Sequence, residues 1–303
     1  MQSLLRLTVL FTAVAVKAIK FGFQVPESWG PHGLAYLKIG EKSCTGTLIT
    51  KRHILTAAHC FKPGRKDMIK IWLGLKGDMN LKDRTLQKFR FKMDSENVKI
   101  HFGHASGNKG LTHKMNSGER LADMALINLP KNVKLGHRYN TKTVPLFEKF
   151  SESSKKKVHT ISRKKNPKHQ QINAIVSGFG LTSQNKLGFR KMRVVTKSTN
   201  WCKHKANSAN IKNKLLNIPD VFCAEGLKNS QICNGDSGGP IFVKNTYNGE
   251  YVQLGISVWA DENCDSQFNG FMEINTYVRW IKKYAKDVET IPNVSNVFKL
   301  RQK

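Results

Sequence analysis

Short apolar runs bounded by Gly, Asn and Lys recur along the chain. Leu34–Ile39, Gly46–Ile49, Ile69–Leu73, Ala174–Val176 and Val252–Val258 read as β-strands on this pattern. The period changes near the end. Val278, Ile281, Tyr284, Ala285 and Val288 recur at helical spacing, with Arg279, Lys282, Lys283 and Lys286 between them. Strands first and a helix last fit an all-β barrel or sandwich with a docking helix. The N-terminus follows a third pattern. Leu4–Val16 is mostly apolar, broken by Arg6, Thr8 and Thr12, and leads to the small residues Val16 and Ala18. This arrangement predicts a signal peptide over 1–18, a mature chain from Ile19 and secretion to the extracellular space. No apolar run approaches the roughly 18 residues of a transmembrane helix.

Composition sharpens this picture. The 303 residues suit one large domain or two small ones. With 39% hydrophobic and 9% aromatic residues, the chain can bury a sizeable core, which excludes disorder throughout. Charge is the stronger signal: 51 Lys+Arg against 21 Asp+Glu give a formal charge of +30. Such a field favours polyanions and excludes an acidic calcium-buffer protein. Ten Lys/Arg fall between Lys62 and Lys92, and sixteen between Ser153 and Pro219, where there is no acidic residue. The densest part holds Lys155, Lys156, Lys157, Arg163, Lys164 and Lys165. It reads as an exposed loop and as a candidate polyanion-binding site, the plain alternative being a solvated face. No basic recognition helix or stacking platform accompanies it, so a sulfated glycan fits better than nucleic acid.

Six cysteines, Cys44, Cys60, Cys202, Cys223, Cys233 and Cys264, suggest disulfides in a secreted chain. No two stand at CxxC spacing, and arithmetic leaves all of the roughly 15 connectivities open. His101, His104 and His113 lack a metal-binding pattern such as HExxH, so no metal is expected. Asn293 begins a glycosylation sequon.

Three segments carry chemistry: Leu55-Thr56-Ala57-Ala58-His59-Cys60, Asp123-Met124-Ala125-Leu126-Ile127-Asn128-Leu129, and Cys233-Asn234-Gly235-Asp236-Ser237-Gly238-Gly239-Pro240. A serine between glycines sits where backbone N–H groups can converge on an oxyanion, and losing one such donor costs about 2.7–4 kcal/mol. The hydroxyl is a poor nucleophile without a base. His59 is the natural base, because an imidazole titrates near neutrality. Asp123, at the head of an apolar run, can hold the imidazole tautomer and stabilise the imidazolium.

In this order the three segments resemble the trypsin/chymotrypsin family of serine endopeptidases, over about Ile19 to Asp287. The resemblance implies two packed six-stranded antiparallel β-barrels with a C-terminal α-helix. It divides the chain into a signal peptide (1–18), a first barrel (19–150), a second barrel with the helix (151–287) and a flexible tail (288–303). It implies a catalytic triad of His59, Asp123 and Ser237, an oxyanion hole from the N–H groups of Gly235 and Ser237, and no cofactor. The implied disulfides are Cys44–Cys60, Cys202–Cys223 and Cys233–Cys264. A fourth bridge common in the family would fall at Ala174 and Val243, and both partners are missing together.

The resemblance also implies an activation pair between the ammonium of Ile19 and Asp236, formed here by signal-peptide removal alone. Gln231 takes the pocket-base position, which is Asp in the trypsin-like branch. A neutral amide cannot pair with a buried cation, so no strong preference for Arg or Lys is expected. Val258, Trp259, Ala260 and Gly270 would form the pocket walls, with Ala260 where Gly is usual. The counterpart of the family's calcium loop is basic, so calcium is not expected. The resulting expectation is a secreted, monomeric endopeptidase acting on proteins or peptides through an acyl-enzyme. The alternative is a weakly active or inert protein of the same fold that binds polyanions. If the basic loop binds a sulfated glycan electrostatically, elution from heparin requires high salt, and neutralising Lys155, Lys156, Lys157, Arg163, Lys164 and Lys165 lowers that requirement. Unchanged elution excludes those residues.

Overall fold

The computed structural model describes residues 23–24, 33–62, 64–77, 79–101, 122–148, 172–180, 188–208, 220–227, 230–245, 249–260, 264 and 268–291. The signal segment, Ile19, His104, His113, the Lys155–Lys165 cluster and Asn293 lie outside them.

In chain order the strands are β1 (Phe23–Gln24), β2 (Leu34–Ile39), β3 (Lys42–Leu48), β4 (His53–Thr56), β5 (Met68–Leu73), β6 (Gln87–Lys92), β7 (Val98–Ile100) and β8 (Ala125–Asn128). There follow β9 (Leu146–Phe147), β10 (Asn173–Gly178), β11 (Arg190–Lys197), helix α1 (Thr199–Ser208), β12 (Val221–Gly226), β13 (Pro240–Lys244), β14 (Tyr251–Trp259), β15 (Phe268–Glu273), helix α2 (Val278–Tyr284) and β16 (Thr290–Ile291). Two sheets result. The first has seven strands in the order β6-β5-β2-β3-β4-β8-β7, all antiparallel. In the second, β10, β11, β12, β15, β14 and β13 form a closed antiparallel ring, because β13 pairs with both β10 and β14. The second barrel is therefore six-stranded, with β1, β9 and β16 added at its margins.

These margins correct the expected boundaries. β1 precedes the first barrel in sequence yet pairs with β11, and β9 pairs with β14, so both belong to the second sheet. Thr290 pairs with Leu146, so packed structure continues past residue 288, where the tail was expected to begin. The basic stretch from Lys62 to Lys92 is also more than surface loop. In β5, Ile69, Ile71 and Leu73 are buried while Lys70 points outward, and in β6 Phe89 is buried between exposed Lys88 and Arg90. Alternation on a pleated strand puts the charge in water and the apolar side in the core.

The helices differ from expectation in two ways. α1 was not anticipated from its polar sequence. Ser198 starts it: its carbonyl accepts the first helical bond, from the Cys202 N–H, and its Oγ accepts the Trp201 N–H, which satisfies one otherwise orphaned donor. Cys202 then bonds to Cys223 on β12 and anchors it. α2 stops at Tyr284, because Ala285 leaves helical dihedrals (φ −113°, ψ 74°). Val288 is buried all the same, as the chain turns back into β16.

One apolar cluster runs from Leu37, Ile54, Leu55 and Ile71 of the first barrel to Ile256, Met272, Val278 and Ile281 of the second barrel and α2. A second fills the closed ring around Phe222 and Phe271, whose rings stack 5.8 Å apart. Lys191 on β11 is an exception to the outward rule. Burial lowers its ammonium from the ordinary 10.5 to about 8. Below about pH 8 folded and unfolded chains both carry this charge, so the desolvation penalty of its burial is fully present. Between 8 and 10.5 the unfolded chain holds a proton that the folded chain has lost, so the residue's contribution to stability rises with pH. Lys191→Met should therefore raise the melting temperature at neutral pH, and the gain should shrink as pH passes from about 8 towards 10.5. A gain constant over that window would contradict the account.

Candidate active site

The first barrel supplies a histidine and an aspartate. β4 ends at Thr56, and a single 3-10 turn over Ala58–Cys60 presents His59. The Cys44–Cys60 disulfide ties this turn to β3. Asp123 stands just before β8, which pairs with β4, so the sheet itself brings the two residues together. Asp123 is fully buried. Its Oδ2 lies 2.6 Å from His59 Nδ1, and its Oδ1 accepts the His59 backbone N–H at 2.8 Å. One carboxylate thus fixes both the ring and the backbone of the histidine. This contact favours Nδ1 as the protonated nitrogen and leaves Nε2 as the acceptor. The imidazole side chain keeps 28% of its surface exposed, so it can meet a substrate.

The second barrel supplies the serine. The segment between Gln231 and Pro240 is a pair of tight turns leading into β13. Gly235 (φ +99°) and Gly238 (φ +80°) adopt left-handed backbone that favours glycine. A Cβ on Gly238 would also lie 2.1 Å from Thr56 Oγ1 and 2.5 Å from the Thr45 carbonyl oxygen, so the first barrel presses directly on this turn. Ser237 is half-buried and lines a cleft of about 690 Å³ with His59, Gly235, Asn234, Tyr36 and the Cys44 segment. The Lys42 ammonium at this cleft donates to the His59 carbonyl at 2.8 Å.

Asp236 points away from the cleft into the protein. It is 1% exposed. Its Oδ1 accepts the Gly180 N–H and its Oδ2 the Cys233 N–H, each at 3.0 Å. Glycine at 178 and 180 leaves room for the carboxylate: a Cβ at Gly178 would come within 2.1 Å of Oδ1. Its expected partner Ile19 lies outside the described residues.

The residues assigned to the specificity pocket come together on neighbouring elements. Gln231 is buried, and its Oε1 accepts no hydrogen bond among the described residues. Gly270 pairs with Trp259 across β14 and β15. Val258 and Trp259 are buried and Ala260 is half-buried. Ser257, beside Val258, exchanges backbone hydrogen bonds with Gly238 and Gly239 at 2.8 Å and so ties the pocket wall to the serine turn. Cys233 bonds to Cys264, which joins that turn to the segment after β14. On the neighbouring strands, Ile175 of β10 pairs with Phe242 of β13, which places Ala174 and Val243 where a fourth bridge would have stood. His101 makes edge contacts with the rings of Tyr277 and Trp280, each 5.0 Å away.

The sequence reading missed two residues of this site. Thr45 and Asn269 both contact the serine segment: Thr45 through Gly235 and Ser237, Asn269 by accepting the Ile232 N–H at 3.2 Å. Neither stands in a recognisable motif, and their partners are distant in the chain, so only the fold exposes them.

Two barrels, with a His–Asp pair from one and a glycine-flanked serine from the other facing one cleft, define the serine-protease class of fold. A family model described as Trypsin matches residues 24–281, and the chain belongs to that family. It is 25% identical over 272 residues to a chymotrypsin of Phaedon cochleariae, covering 84% of this chain and 79% of that protein. It is 27% identical over 252 residues to venom serine protease 34 of Apis mellifera, covering 81% of this chain but 53% of that protein. Among solved structures it resembles neuropsin, a serine protease expressed in the limbic system of mouse brain, with 25% identity and a TM-score of 0.57, covering 88% of this chain and 99% of that one.

The His59–Asp123 geometry yields a direct prediction. Asp123→Asn keeps the shape but inverts the donor pattern, so Nδ1 becomes the acceptor and Nε2 the donor. Any Ser237-dependent hydrolysis should then fall by about 10⁴-fold, the size known for this substitution in the Ser-His-Asp template. Steady-state turnover of an activated ester measures it. A loss under about tenfold would show that this contact is not catalytic.

Proposed function

We propose that the protein is a secreted serine endopeptidase that hydrolyses peptide bonds through an acyl-enzyme. Ser237 Oγ attacks the scissile carbonyl while His59 Nε2 takes its proton. The N–H groups of Gly235 and Ser237 hold the oxyanion. His59 then protonates the leaving amine, Asp123 stabilises the imidazolium throughout, and water resolves the ester by the reverse sequence. The observation that carries this reading is the 2.6 Å contact between His59 Nδ1 and the buried Asp123 carboxylate, beside the cleft that Ser237 lines.

The neutral Gln231 at the pocket base favours uncharged side chains on the acyl side over Arg or Lys. Three disulfides and the apolar N-terminal segment favour secretion, with cleavage after Ala18 freeing the Ile19 ammonium for Asp236. Among the described residues no helix is long and apolar enough to cross a membrane. The alternative, an inert relative that binds polyanions, draws on the +30 charge and on Ala260 at the pocket entrance.

A fluorophosphonate probe separates the two. The secreted protein should be labelled stoichiometrically, and Ser237→Ala should abolish labelling while leaving thermal stability nearly unchanged. Folded protein beginning at Ile19 that resists the probe would overturn the hydrolase reading.

A further inference from the structure

Thr45 stands one residue beyond Cys44 on β3 and is fully buried. Four groups converge on it. Its Oγ1 donates to the Gly235 carbonyl at 2.9 Å and accepts the Phe179 N–H at 3.0 Å. Its own N–H donates to the Ser237 carbonyl at 2.8 Å, and its carbonyl accepts the Thr56 hydroxyl at 2.8 Å. Resting on the hydrolase reading above, we propose that the Thr45 hydroxyl is a positioning group for the oxyanion hole. It would set the angle between the two N–H donors from the opposite barrel.

The chain between those donors is short. The N–H groups of Gly235 and Ser237 are separated by the dihedrals of Gly235 and Asp236 alone. Glycine has no side chain to restrict its ψ, so the peptide joining Gly235 to Asp236 is the soft point. Both ends of that peptide are held. Thr45 Oγ1 holds the carbonyl, and the Cys233 carbonyl accepts the Asp236 N–H at 3.1 Å. The Thr45 N–H fixes the next carbonyl, that of Ser237. Rotating the peptide would break the Thr45 bond and leave a buried carbonyl without that donor, which the interior penalises. The hydroxyl has no slack, because its one proton goes to Gly235 while a lone pair takes Phe179. Gly180, next to Phe179, donates to Asp236, so the same two segments are clamped twice. An oxyanion hole works through donors fixed before charge develops. Thr45 provides that fixation through a side chain whose partners are 134 and 190 residues away.

The test removes the hydroxyl and keeps the shape. Thr45→Val should lower kcat by ~10- to 100-fold with KM little changed, since the loss falls on the tetrahedral state. A peptide boronate, which forms a tetrahedral adduct on the serine, should lose affinity by the same factor, while a non-cleavable peptide isostere should bind as before. Thr45→Ser, which keeps the hydroxyl, should restore kcat. Where Val lowers the folded yield, Thr45→Ala gives the same comparison without crowding. Folded Thr45→Val or Thr45→Ala with wild-type kcat would overturn the proposal, as would parallel loss of boronate and isostere binding, which marks a general structural defect. Wild-type protein is assayed alongside. Turnover by wild type with no effect of Thr45 refutes this inference alone, whereas folded wild type starting at Ile19 without turnover refutes the hydrolase reading and this inference with it.

Discussion

The serine turn from Cys233 to Gly239 lies in the seam between two barrels, and its buried backbone groups must find partners there. Wherever such a group is shielded from water, leaving it unmet would cost free energy comparable to a lost hydrogen bond. The partners come from both sides. Thr45 of the first barrel takes Gly235 and Ser237, Ser257 of the second takes Gly238 and Gly239, and Asp236 turns inward onto Cys233 and Gly180. The two left-handed glycines let the chain fold tightly enough to reach them all. Because these bonds span both barrels, docking of the barrels and assembly of the site are one event. Stability and the geometry of the site are coupled through the same few contacts.

Charge is arranged around that seam in two different ways. Among the described residues, buried Asp123 faces His59, buried Asp236 receives two backbone N–H groups, and buried Asp220 accepts the Tyr277 hydroxyl. Outside, the excess of cations is carried on pleated strands and loops whose apolar sides fill the core, as in β5 and β6. Among the described residues, the cations of β5 and β6 therefore stay at the surface while the same strands fill the core. Lys191 is the described lysine in which the separation fails, and its depressed ammonium records the cost.

Much of this was legible in the sequence, for identifiable reasons. Strands built on largely apolar runs declared themselves, so β2, β5, β10 and β14 follow those runs, whereas β11, whose apolar positions alternate with Arg and Lys, did not declare itself. The meeting of His59 with Asp123, and of His59 with Ser237 at one cleft, was legible because each residue sits in a segment with a recognisable pattern of neighbours. The two-residue strands β1, β9 and β16 were not, since so short a pairing leaves no periodicity. α1 was hidden by its polar composition and is held by a cap and a disulfide instead of an apolar stripe. Thr45 was silent for the same kind of reason: its role is defined by residues 134 to 192 positions away, and threonine in a strand predicts only a strand.

The proposed role of Ser237 Oγ as the attacking atom can be tested within a single turnover. Mixing the mature protein with an uncharged amino-acid nitrophenyl ester, quenching in acid within the first turnover and mapping the added mass tests it directly. The account predicts one acyl group per chain, carried on the peptide that contains Ser237, and released again when the quench is delayed under excess water. Folded protein beginning at Ile19 that shows no acyl mass, or carries it on another residue, would contradict the account.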